Sequence, residues 1–494
     1  MAKAKEKAEF GDFQTPVELA ADVAACVRSL GFSPNSILEP TCGKGNILQA
    51  VCEEFSEAKN ALGVEVSSYY AELARSRFFV PRIGPDIRVV NENFFEADLT
   101  NHLSKLADPI LVVGNPPWVT NSELGSLGSS NLPVKSNFHQ LNGFDAKTGK
   151  SNFDISEWML LRISELLQGR DALLAMLCKT AVARKVLKYI WRKNIEISRA
   201  SLHRIDAQAS FGAAVDACLL IVKFGQPVTH EAPVFGSLAD AEPEQVMGYS
   251  NGELIASVQS FDSLQHLQSF SKGKWRSGVK HDCSKVMELR REDGTFINGF
   301  DEPVELEEEY LYPLLKSSDL GKDSLADPRR WVIVTQKRIG DETSLIAEKA
   351  PKTWNYLLRY AELLDGRKST IYHKRARFSV FGIGDYSFTS WKVAISGFYK
   401  SLSFKLVCPF EGKQVMLDDT CNFLSFDSFE EAEYVTQLLN SETAQKFLSS
   451  RIFWDTKRPI TVDLLNSLDI PTLELFLYPS GQHLFQSENQ IRLF

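Results

Sequence analysis

Short apolar runs separated by amphipathic stretches set the rhythm of the first half of the chain. Runs at Ser36–Glu39, Ala61–Glu65, Ile87–Val90, Ile110–Val113, Ala172–Leu177 and Ala217–Phe224 predict strands. Between most of them apolar positions recur at helical spacing, as in Ile155–Leu167 and Ala181–Lys193. Such alternation predicts an α/β domain with a mostly parallel sheet and flanking helices. Thr15-Pro16-Val17-Glu18 predicts a helix start, with Thr15 as cap, Pro16 in the first turn and Glu18 completing a capping box.

Two stretches break the rhythm. Asn121 to Asn152 is rich in Gly, Ser and Asn and predicts a long loop, of the kind that serves as a substrate lid. After Phe224, GQPVTHEAPVFG reads as a linker, and from there to Phe494 the strand–helix alternation is lost. The expected division is therefore an α/β domain over 1–230 and an α+β domain over 231–494. A length of 494 residues also asks for more than one domain.

Composition narrows the function classes. The sequence has no uninterrupted apolar run long enough to cross a bilayer, and the charged N-terminus lacks an apolar stretch behind it. Eight scattered cysteines without a CxxC pair point to a reducing cytoplasm and away from structural zinc. A net charge of −8 argues at first sight against a nucleic-acid partner. Binding depends on local patches, however, and cations cluster from Lys179 to Arg204 and from Arg367 to Arg377. On charge alone both clusters read as solvated faces.

The chemistry-bearing residues follow the strands. Ile37 to Asn46 is a strand, a glycine turn at Gly43 and Gly45, and a helix start. Leu48 stands where a dinucleotide fingerprint needs its third glycine, so a pyrophosphate cradle is not supported. Glu65 ends the next apolar run, where an acidic side chain can accept both ribose hydroxyls of a nucleoside. Asn91 to Phe95 ends the third. The sharpest signal is Asn115-Pro116-Pro117-Trp118. Two prolines stop the fourth strand and stiffen the backbone where open α/β sheets bind ligands. The Asn115 amide oxygen and Pro116 carbonyl are two acceptors for the hydrogens of an aromatic amine. Binding both would turn the nitrogen lone pair toward an electrophile, and Trp118 offers a face for a base.

These residues resemble the DNA amino-methyltransferases, in the motif order of their gamma class. The resemblance runs from Phe10 to about Gly225 and implies S-adenosyl-L-methionine as cofactor. It places Phe13, Thr15 and Pro16 at the methionine end. Glu39, Thr41, Cys42, Gly43 and Gly45 match the cofactor loop, Glu65 the ribose acid, and Val66, Asn93 and Phe94 the adenine site. The family often has Asp where this chain has Asn93. Asn115, Pro116, Pro117 and Trp118 match the catalytic motif, and Phe211 the aromatic that meets a flipped base beside Trp118. The fold implied is class I methyltransferase-like, followed by a target-recognition domain on double-stranded DNA. Asn rather than Ser at 115 favours adenine N6 over cytosine N4. Structural RNA adenine and protein glutamine are the remaining amine substrates. No metal, membrane or covalent nucleophile is expected, and a cognate restriction endonuclease would be a separate protein. Lys374 and Arg375 are the expected phosphate contacts.

Overall fold

The computed structural model describes residues 14–79, 84–119, 154–269, 273–322, 325 and 327–480. Phe13 and the stretch Asn121–Asn152, both singled out above, lie outside the described residues. The chain divides into two compact units, one ending at Val258 and one beginning at Gln259.

The first unit is built on a ten-stranded sheet among the described residues. Its strands are β1 (Ser36–Glu39), β2 (Asn60–Glu65), β3 (Asp86–Asn91), β4 (Ile110–Gly114), β5 (Ala172–Lys179), β6 (Ile197–Ile205), β7 (Ala217–Phe224), β8 (Glu231–Phe235), β9 (Gln245–Ser250) and β10 (Glu253–Ile255). The order is β10-β9-β8-β6-β7-β5-β4-β1-β2-β3. β1 to β5 are mutually parallel where they pair, and β7 inserts antiparallel between β5 and β6. Strands covered by helices on both faces bury every side chain, which is why β4 and β5 read as continuous apolar runs. The helices are α1 (Val17–Ser29), α2 (Asn46–Glu54), α3 (Ser68–Phe78), α4 (Leu99–Ser104), α5 (Ile155–Leu167), α6 (Thr180–Arg192) and α7 (Ala207–Phe211).

Three expectations need correction. Thr15 does not cap α1: Pro16 occupies the cap position with extended backbone, and no side chain caps there. The linker after Phe224 is short, because the chain returns as β8, parallel to β6, and continues through β9 and β10. In β8 only Ala232 and Val234 are buried, a half-buried alternation too brief to read beside Pro and Gly. The unit therefore runs past residue 230 to Val258. β6 went unread because Ile197–Ile205 carries three basic residues among its apolar ones.

The second unit is α+β. A four-stranded antiparallel sheet includes Trp391–Ser396 and Cys421–Phe426, and a six-stranded, mainly antiparallel sheet includes Glu288–Glu292, Leu311–Leu315 and Arg330–Ile333. Trp331, Val332, Leu357 and Phe378 lie in its core. Among the described residues no helix is long and apolar enough to cross a membrane.

Candidate active site

Parallel strands deliver their connecting loops to one edge of the sheet. Neighbours on the two sides of β1 are reached by chain leaving in opposite directions, so the carboxyl ends of β1 and β4 flank a natural crevice. A cleft open to solvent lies there. Of the residues singled out in the sequence, it is lined by Thr15, Glu39, Thr41, Cys42, Gly43, Glu65, Val66, Asn93, Phe94, Asn115 and Pro117. Pro16, Gly45, Pro116, Trp118 and Phe211 are not on its wall. Gln14, Asn46, Ser67, Tyr70, Phe95 and Met159 also line it. Gln14 falls between Phe13 and Thr15, both singled out above, but Met159 comes from α5, and nothing local marked it.

The turn after β1 explains its glycines. Gly43 has φ +51°, and a Cβ there would stand 2.6 Å from Gln14 Oε1. That oxygen accepts the Lys44 N–H at 3.0 Å, so the turn and Gln14 close on each other. Gly45 caps α2 in the left-handed region at φ +80°, where glycine carries no steric penalty. Glu39, almost fully buried, accepts the Leu48 N–H at 2.9 Å in the first turn of α2. Burial pushes its carboxyl well above the usual carboxylate range, and the nearby Glu65 charge adds to the shift. Cys42 packs where a side chain at Gly63 would otherwise stand, and burial pushes its thiol well up.

Glu65 is the hinge of the cleft. Its Oε2 accepts the Gly43 N–H at 2.8 Å and its Oε1 the Ser67 N–H at 2.7 Å. Asn91 Nδ2 donates to the Glu65 and Val66 carbonyls at 2.8 and 3.0 Å, tying the end of β3 to the end of β2. Asn93 Oδ1 accepts the Phe95 N–H at 3.0 Å, within its own turn. Phe94 and Phe95 meet Trp158 of α5 edge-on, with centroids 6.2 and 5.3 Å away.

Asn115 follows β4 directly. Its Nδ2 donates to Thr15 Oγ1 at 3.3 Å, and its carbonyl accepts from Thr41 Oγ1 at 3.4 Å. The Thr15 hydroxyl predicted to cap α1 is thus turned toward Asn115. Trp118 differs from expectation: it is buried and belongs to the core cluster rather than offering an open face. Its ring meets Phe211 of α7 edge-on at 5.1 Å and 73°. Among the described residues no group of three or more His, Cys, Asp or Glu is placed to hold a metal.

The basic clusters separate. In the first, Lys179 pairs with Asp154, Lys185 with Glu157, Lys188 with Glu253 and Arg204 with Glu244. Those four cations are neutralised in place. In the second, Arg367 is buried, donates to the Leu364, His281 and Ser379 carbonyls, and lies 3.6 Å from the Tyr372 ring centre. Arg377 grips Asp365 through Nε and Nη2. Lys368, Lys374 and Arg375 are exposed and form no ion pair among the described residues, and Lys374 holds a left-handed backbone at φ 61°.

No protein-family model matches the chain. It is 44% identical over 472 residues to the type II methyltransferase M.NspV of Nostoc sp. (strain ATCC 29411 / PCC 7524), covering 95% of this chain and 98% of that one. A shorter match, 32% over 117 residues, is to the type II methyltransferase M.CvrRI of Paramecium bursaria Chlorella virus XZ-6E, covering 24% of this chain and 26% of that one. Among solved structures, the type IIL restriction-modification enzyme MmeI in complex with DNA aligns with a TM-score of 0.54 at 15% identity. That alignment covers 93% of this chain, which spans 64% of the other's length. At such identity the likeness is one of fold.

Proposed function

Because this chain belongs to the type II methyltransferases, we propose that it is a site-specific DNA methyltransferase that moves a methyl group from S-adenosyl-L-methionine to N6 of an extruded adenine. The observation that carries this reading is Asn115, set at the end of β4 and tied to Thr15 and Thr41, on the same cleft as Glu65. The setting we propose is a restriction–modification system of the cytoplasm, with the cognate endonuclease on a separate chain.

The cleft suits the cofactor. It is a concave site that sets apolar side chains such as Val66, Phe94 and Phe95 beside a few polar groups, the usual make-up of a small-molecule site. Gly43 leaves room where a Cβ would collide with Gln14, so backbone can approach a ligand closely. Glu65 accepts the Gly43 and Ser67 N–H groups on the wall of the cleft, which sets its carboxylate where a ribose hydroxyl can donate to it. In this reading Thr15, with Gln14 beside it, meets the methionine end, and Val66, Asn93 and Phe94 meet the adenine; all five line the cleft. When bound, the cofactor supplies a methyl group on a positively charged sulfur.

The protein's part is positioning. Extruding a base costs on the order of a few kcal/mol, and stacking on an aromatic ring returns roughly 1–3 kcal/mol. Trp118 and Phe211 touch each other, so a base reaching between them must part the pair. The Asn115 amide oxygen and the Pro116 carbonyl accept the two amine hydrogens and leave the lone pair free for in-line attack. Proximity of this kind supplies most of the acceleration, and it is sensitive to errors near 1 Å.

The test is methylation of unmodified DNA by wild type and Asn115→Ala, with the product resolved by nucleoside analysis. N6-methyladenine from wild type, and a loss of at least a hundredfold in the variant at unchanged cofactor affinity, is the expected outcome. N4-methylcytosine as the product, or a tenth of wild-type turnover surviving in the variant, sinks the assignment.

A further inference from the structure

The end of β5 grips the segment that leaves β4. Trp118 is held twice: its Nε1 donates to the Leu177 carbonyl at 3.4 Å, and its own carbonyl accepts from Lys179 Nζ at 3.0 Å. The same ammonium donates to Asp154 Oδ2 at 2.6 Å, and the Asp154 side chain is 8% exposed. Asp154 Oδ1 accepts the Ser156 N–H at 3.0 Å and so caps α5. Beside this node the Ile155 N–H donates to the Val119 carbonyl at 2.9 Å. One cation therefore joins three elements: the exit of Asn115–Trp118, the end of β5, and the first turn of α5, which also carries Met159 into the cleft.

The prolines make this node consequential. Pairing of β4 with β5 ends at Gly114 and Met176, and Pro116 and Pro117 have no N–H with which to extend it. Their fixed dihedrals turn the segment from Asn115 to Trp118 into a stiff lever. Anchored at one end by Thr41 and at the other by Lys179, it has little freedom; without the Lys179 bond its far end is held through the Trp118 side chain, and the backbone can shift. Neither Lys179 nor Asp154 lines the cleft. We propose that Lys179 and Asp154 are a positioning pair that holds the Asn115–Trp118 segment in its transfer geometry without touching cofactor or base. The proposal rests on the role assigned to Asn115. A charge-assisted bond to a backbone carbonyl, backed by a buried carboxylate, is strong enough to set that geometry. Removing the ammonium leaves Asp154 buried without its counter-charge, which pushes the node apart.

The full chain is tested as Lys179→Met, Lys179→Arg and Asp154→Asn, the last keeping an oxygen to cap α5. Single-turnover transfer from labelled cofactor to unmodified genomic DNA is measured beside cofactor binding by calorimetry. Lys179→Met should slow transfer by about 10- to 100-fold at saturating cofactor, the scale of a 1 Å misplacement. Cofactor affinity should stay within about twofold, and Lys179→Arg should recover most of the rate, because a guanidinium can still reach the carbonyl. Wild-type rates in Lys179→Met overturn the proposal. So does an equal loss of rate and cofactor affinity, which marks a merely structural contact, and so does an Arg variant no better than Met. If Lys179→Met does not fold, an unchanged rate in Asp154→Asn overturns it and a selective slowing upholds it. Wild-type protein that fails to methylate DNA, or Asn115→Ala at full rate, defeats the underlying reading instead, whatever the Lys179 variants do.

Discussion

Glu65 holds the Gly43 and Ser67 amides with one oxygen each, so the carboxylate that shapes the cleft also faces it. Glu65→Gln keeps one acceptor oxygen and turns the other into a donor. A charge-assisted hydrogen bond contributes roughly 1.5–3 kcal/mol, so the cofactor dissociation constant should rise about 10- to 100-fold by calorimetry. Unchanged binding would remove Glu65 from the site. Its place on the cleft was legible because an acid at a strand end is a local signal. The burial of Trp118 was not, since its cover comes from Leu177 and Phe211, both far along the sequence. Lys392 was equally hidden. Its side chain is 1% exposed, its Nζ donates to the Thr389 carbonyl at 2.9 Å, and burial pushes its pKa down to about 7. An unfolded lysine titrates near 10.4, so the unfolded chain binds the extra proton between the two values and stability rises with pH across that window. Lys392→Met should melt higher than wild type at pH 6, with the gap narrowing steadily toward pH 10. A gap that does not depend on pH would show that Lys392 carries its charge at no cost.

The turn from β1 into α2 shows what an element demands of its sequence. Gly43→Ala places a Cβ against Gln14 Oε1 in a left-handed backbone, and Gly45→Ala places one 3.0 Å from the Phe78 ring. Both should lower the melting temperature, since a left-handed residue with a Cβ costs roughly 1–2 kcal/mol. Only Gly43 lines the cleft, so Gly43→Ala should also weaken cofactor binding severalfold while Gly45→Ala leaves it nearly intact. Thermal melts with and without cofactor separate the two, and equal shifts on ligand addition would contradict the difference. The buried strands of this sheet, β4 and β5 above all, were legible as unbroken apolar runs. β6 and β8 were not: basic residues interrupt the first, the second is brief, and only their neighbours in the sheet make them strands.

At the scale of the whole chain, a net charge of −8 hides an uneven distribution. Structure spends Arg367 on carbonyls and Arg377 on Asp365, which leaves Lys368, Lys374 and Arg375 as the exposed cations of that segment with no ion pair among the described residues. If Lys374 and Arg375 contact phosphates, the double alanine variant should bind all duplexes more weakly and lower the salt slope by about two units, one for each contact. Arg377→Ala should leave the slope as it is. A double variant with wild-type affinity and slope would return the segment to ordinary surface. Charge runs alone could not sort these roles, because the carbonyls and Asp365 that claim the two arginines are chosen by folding. The extent of the first unit carries a different lesson, for anyone exchanging second units between related chains. β8 covers the flank of β6, with Leu202 and His203 facing Val234 and Phe235. A chimera spliced near residue 230 would strip that cover and leave a raw sheet edge, a template for aggregation. A splice just after Val258 keeps the sheet whole, and the two hybrids should part company on a sizing column before any activity is measured.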